Sequence, residues 1–240
     1  MATKKKSGLH YFGIGCLIVG VLGIIGGVVA VFWLVQWAGE VKETLRDPAS
    51  REQQALDILG AERLPEGYYA MLGVRVPFLL ETAILTDQQP DESEEPPDLG
   101  ERGLLYFSMR SFGRDREELD AFFRGETDDP AVLQKHNVQL DLDERVASGA
   151  IERSSGPVNW VSHRGDMHSG RTRGRHQGLV TLLQIHCAAD NRNRLGVWFA
   201  PYPEEAADES EETPVSLAGS IADPASVEAF VGHFRFCPAS

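Results

Sequence analysis

Residues 103–123 read GLLYFSMRSFGRDREELDAFF, and a change of period inside them decides the fold class. Over 103–111 the residues have the alternating character of a strand. From Asp115 to Gly125 the pattern becomes helical. Acids occupy the first turn, Leu119, Phe122 and Phe123 share one face, and Gly125 supplies the stop. A strand therefore runs directly into an amphipathic helix, and the segments around this pair show whether it repeats.

Upstream, Leu64-Pro65-Glu66-Gly67 signals a turn, and YYAMLGVRVP (68–77) and FLLETAILTD (78–87) are rich in strand formers. Downstream, Asp129-Pro130 opens a short helical turn through Leu133, and VQLDLDERV (138–146) alternates. PVNWVSHR (157–164), GLVTLLQIHCAAD (178–190) and RLGVWFAPY (194–202) are three further strand candidates. Asp223-Pro224 opens a closing helix, DPASVEAFVGHFRF (223–236), with Val227, Phe230, Val231 and Phe234 as its apolar stripe. The order is a strand pair, a strand, a helix, several strands and a final helix. It does not alternate strictly as βαβ, so the expectation is an α+β domain with a mostly antiparallel sheet and helices packed on it. Residues 87–101 carry seven acids, no base and three prolines, and 204–212 carry six acids and no base. Both read as solvated acidic loops outside the core.

The N-terminal part has a different character. Between Lys6 and Glu40 there is no Lys, Arg, Asp or Glu, and 13–37 read GIGCLIVGVLGIIGGVVAVFWLVQW. That length suffices for a transmembrane helix, expected over 8–39, with Tyr11 and Phe12 at one interface and Trp33 and Trp37 at the other. The run is too long for a cleaved signal peptide and ends in Gln36-Trp37-Ala38 rather than in small residues. Lys4, Lys5 and Lys6 place the tail 1–7 in the cytoplasm and everything after the span outside, making this a single-pass signal-anchor with a periplasmic or extracellular domain. Gly23 and Gly27 form a GxxxG suited to packing two spans into a homodimer, or are merely tolerated in a glycine-rich helix. Residues 40–62 read as a juxtamembrane helical connector, broken at Asp47-Pro48, with Ser50 able to cap its second helix; residues 63–240 form the domain proper.

Charge and cysteines agree with that topology. The chain carries −13, and removing the +3 of Lys4–Lys6 leaves −16 on residues 40–240. Such a balance speaks against nucleic-acid binding and against docking on anionic lipid. Cys16 lies in the span, and the outer domain holds only Cys187 and Cys237. In an oxidising compartment that even pair is expected as a disulfide, with two buried free thiols as the alternative.

The segments LPEGYYAMLGVRVPF (64–78), GLLYFSMRSFGRDREELDAFF and DPASVEAFVGHFRF resemble the PsbP/Mog1-like α/β sandwiches in outline over about 65–236. The chain is also similar to uncharacterised single-span envelope proteins of delta-proteobacterial type. The resemblance implies a small extracytoplasmic binding or assembly domain and brings no catalytic motif.

Motifs that would indicate chemistry are missing. The sequence contains no P-loop, HExxH, GxSxG, CxxC or N-x-S/T, and Asp141-x-Asp143 does not continue as a calcium loop because Val146 stands where glycine is needed. One constellation stands out, SHRGDMHSGRTRGRHQ at 162–177. Arg164, Arg171, Arg173 and Arg175 oppose only Asp166, giving +3 within an acidic domain. Three readings remain open. The stretch is a hairpin connection paired with the chain's own acids, a docking site for an acidic ligand or anionic headgroups, or a metal site using His163, His168 and His176 with His186 and Asp166. The expected function is that of a membrane-anchored extracytoplasmic binding or scaffolding domain without cofactor or catalytic residues, its partner an envelope protein or acidic ligand. A metal-assisted enzyme working from the His/Arg stretch is the alternative.

Overall fold

The computed structural model describes residues 47–76, 79–89, 99–110, 115–129, 131–134, 140–168, 175–188, 190, 192–203 and 216–237. The expected cytoplasmic tail 1–7 and span 8–39, with Gly23 and Gly27, lie outside these residues. So do residues 40–46 of the connector, all of 204–212, and most of the acidic stretch 87–101. Among the described residues no helix is long and apolar enough to cross a membrane. Asp47–Ser240 forms one compact unit.

The elements are α1 (Pro48–Leu59), β1 (Tyr69–Val76), β2 (Leu80–Thr86), β3 (Gly103–Arg110), α2 (Asp115–Phe123), α3 (Ala131–Gln134), β4 (Asp141–Ile151), β5 (Val158–His168), β6 (Arg175–Ile185), β7 (Arg192–Pro201) and α4 (Pro224–Gly232). The strands form one seven-stranded sheet in the order β1-β2-β3-β7-β6-β5-β4, and every neighbouring pair is antiparallel. The α+β class and the antiparallel sheet are as the sequence predicts. The start of α1 differs. Asp47, not Ser50, is its N-cap: the Asp47 carboxylate accepts from the Ser50 N–H at 3.0 Å and from the Ser50 hydroxyl, and Pro48 takes the first turn, where no N–H is needed.

The period-2 rule divides the core into two layers. On one face Leu104 and Tyr106 (β3), Val158 and Trp160 (β5), Leu179, Leu183 and Ile185 (β6) and Trp198 and Ala200 (β7) pack with α1 and α4. On the other face Val161, Val180, Leu182, Leu195, Val197 and Phe199 pack with Leu119, Phe122 and Phe123 of α2 and Val132 and Leu133 of α3. The central strands are therefore buried on both sides, which is why GLVTLLQI and LGVWFA are nearly continuous apolar runs. Helix α1, read from sequence as a connector, supplies Ala55, Ile58 and Leu59 to the core. It lies so close to β1 that a Cβ on Gly73 would sit 2.7 Å from the Ala55 backbone nitrogen.

Cys187, just past β6, and Cys237, just past α4, are joined by a disulfide with their Cα atoms 5.5 Å apart. The bond ties the chain end after α4 to the central sheet.

Candidate functional site

The His/Arg stretch 162–177 is mostly strand. β5 runs through His168 and β6 begins at Arg175, with Asp166 opposite Gln177, Met167 opposite His176 and His168 opposite Arg175. Strands β5 and β6 thus run into the stretch that one reading takes as a hairpin connection, pairing as far as His168 and Arg175. Arg171 and Arg173 lie outside the described residues, as do the side chains of Asp166, His168, Arg175 and His176.

The two remaining members are used internally and face opposite ways. His163 is 2% exposed, stacks on Phe122 with ring centroids 5.9 Å apart, and places Nδ1 3.3 Å from the Asp143 carbonyl. Burial holds its pKa below the usual histidine value, and Nε2 has no partner among the described residues. On the other face Arg164 donates to the Tyr202 hydroxyl at 2.5 Å, and its guanidinium lies 4.9 Å above the Tyr202 ring. His186 has a contact at each ring nitrogen. Arg116 lies 3.2 Å from its Nδ1, the Asn159 amide nitrogen lies 3.3 Å from its Nε2, and the Asp120 carboxylate is 3.9 Å away. Among the described residues no three His, Cys, Asp or Glu side chains are grouped as metal ligands.

A more open arrangement lies between β7, α4 and the turn before β1. There a groove of about 490 Å³ is lined by Pro65, Glu66, Tyr68, Arg102, Trp198, Pro203, Ser220, Ser226, Ala229, Phe230 and His233, among others. Its floor is aromatic. The Trp198 and Phe230 rings are nearly parallel with centroids 3.9 Å apart, and the Tyr68 ring is 5.4 Å from Phe230. Trp198 Nε1 donates to the Tyr68 hydroxyl at 2.8 Å, so the one polar atom of the indole is satisfied inside the floor. Burial raises the Tyr68 pKa, an effect opposed by this bond and by the nearby Arg102. Arg102 lies 6.0 Å from the Tyr68 ring and 3.7 Å from Asp87, which places charge at the rim and not in the floor.

The wall formed by 217–223 is fixed by side chains. Thr181 donates its single hydroxyl proton to the Ile221 carbonyl at 2.6 Å, so Ser162 must be the donor in the 2.7 Å contact between Ser162 and Thr181. Ser220 donates to the Leu217 carbonyl at 2.7 Å. Asp223 caps α4 and accepts from the Gly219 N–H at 3.0 Å. The backbone bond from Gly219, followed by those from Ala225 and Ser226, keeps the Asp223 carboxyl below its usual range.

Sequence reasoning did not select Tyr68, Trp198 or Phe230 as site residues. Each was read as an ordinary strand or helix residue, and only the packing of α4 on β7 brings the three together. Comparison with protein-family models, curated proteins and solved structures found no match.

Proposed function

We propose that residues 47–240 form a non-enzymatic binding domain of the cell envelope, held at the membrane by the span at 8–39. Its groove over Tyr68, Trp198 and Phe230 takes an apolar side chain of a protein partner. The observation that carries this reading is the stacked Trp198–Phe230 floor, whose indole N–H is already bonded to Tyr68. Such a floor offers apolar contact without leaving a buried donor unpaired, and Glu66, Arg102, Ser220 and Ser226 at the edge supply polar partners for a peptide. The extracytoplasmic placement rests on the lysines before the uncharged run, and the disulfide is consistent with it. The resemblance to PsbP/Mog1-like domains belongs to the same proposal and rests on the segments quoted for it.

The test is a photocrosslinking amino acid at Ala229, an exposed position lining the groove, compared with one at Glu228 next to it. A defined adduct from 229, lost when Ser226→Trp fills the groove, is the expected result. Equal adducts from both positions, unaffected by S226W, would remove the groove as the binding site.

A further inference from the structure

A second cleft lies past the C-terminal end of α4, where the end of α1 meets the closing segment. It has a volume of about 490 Å³ and is lined by Gly60, Glu62, Arg63, Arg153, Gly232, His233 and Arg235. We propose that Arg63, Arg153 and Arg235 form a phosphoryl-binding site there. Three arginines and one glutamate line it, in a chain whose net charge is −13. A single carboxylate ligand is matched by one arginine fork, whereas a phosphoryl group presents three terminal oxygens and suits several.

The cleft is built and held by contacts distant in sequence. Gly60 ends α1 in the left-handed conformation at φ 63°, and a Cβ there would meet the Arg235 carbonyl oxygen at 2.7 Å. The Arg235 N–H lies 3.1 Å from the Leu59 carbonyl and 3.2 Å from that of Gly60, which fastens the closing segment to the helix end. Arg153 donates Nη1 to the Val231 carbonyl at 3.0 Å and the Phe234 carbonyl at 2.8 Å. Those oxygens would otherwise repel an anion at a helix C-terminus, and the same two bonds fix the guanidinium in place. Arg235 pairs with Glu62 at 2.9 Å, with side chains 75% and 85% exposed, so a competing anion displaces only a weak surface pair. Arg63 is exposed and makes no ion pair with a carboxylate among the described residues.

Pyrophosphate serves as the probe, titrated by calorimetry into the full chain in zwitterionic detergent micelles. Saturable binding is expected, weakened about tenfold or more in the double variant Arg63→Gln/Arg235→Gln and unchanged in Arg110→Gln, an exposed arginine on β3. Both residues of the double variant are exposed, so folding is retained, with an unchanged far-UV spectrum as the check. Repeating the titration in phosphatidylcholine nanodiscs with and without phosphatidylglycerol distinguishes the sources. Weaker pyrophosphate binding with the anionic lipid identifies a headgroup as occupant, and equal binding identifies a soluble phosphoryl compound. Absence of saturable binding, or equal affinity in the double variant, overturns the proposal.

Discussion

His163 and His186 show how a side chain's surroundings set a property of the whole domain. His163 is held below its usual pKa chiefly by burial, with the Asp143 carbonyl opposing, and His186 shifts the same way for the same main reason. In the unfolded chain each takes up a proton near pH 6.5. A lowered folded pKa means that the unfolded state binds the proton first, so the stability these sites contribute is complete above about pH 6.5. It is lost as the pH falls through the lower folded values. The urea midpoint is therefore expected to drop between pH 7.5 and pH 5.5 (chosen to span that transition), and His163→Phe should flatten the drop, leaving His186's share. An unchanged slope in H163F would show that His163 does not sense the interior as described. At this scale the sequence misled in one respect. His163 lies between Ser162 and Arg164 in a polar stretch, and nothing in that spelling says that one neighbour enters a core layer while the next covers Tyr202.

Elements were easier to read than sites. The strand-to-helix switch at 103–123, the pair before it and the helix opened by Asp223-Pro224 follow from period and capping chemistry, which are local. The aromatic groove was not legible, because Tyr68, Trp198 and Phe230 come from a turn, a strand and a helix, and only the packing of α4 on β7 brings them together. The groove's wall depends on an interaction of that non-local kind, the relay from Ser162 through Thr181 to the Ile221 carbonyl. Thr181→Val keeps the shape but leaves a buried hydroxyl and a carbonyl unpaired. It should cost about 1–3 kcal/mol in urea unfolding. It should also reduce crosslinking from position 229 more than a stability loss of that size accounts for, and full crosslinking in T181V would show that the wall does not depend on the relay.

For the molecule as a whole, the proposal joins a single-pass anchor to an acidic binding domain. Self-association through the proposed span would draw on the close approach that Gly23 and Gly27 permit. Gly23→Ile with Gly27→Ile is expected to abolish crosslinked dimers in membranes while leaving pyrophosphate binding in the arginine cleft intact. Dimers that persist would assign association to another part of the chain. The disulfide was readable as a candidate because only two cysteines follow the uncharged N-terminal run, whereas its pairing geometry required the sheet and α4 to be in place.

That bond has a topological consequence. Cys187 and Cys237 bracket β7, the acidic run 204–212 and α4 within one covalent ring. A single cut in the backbone anywhere inside the ring therefore releases nothing. The severed tail, with α4 and its half of the groove, stays attached to the sheet until the sulfur bridge is reduced. Cleavage at the glutamates of 204–212 would thus be invisible on a gel run without thiol and would yield two bands with it. If the domain stands outside the cytoplasm, as proposed, the bridge makes the most acidic part of the chain a place where damage does not become loss.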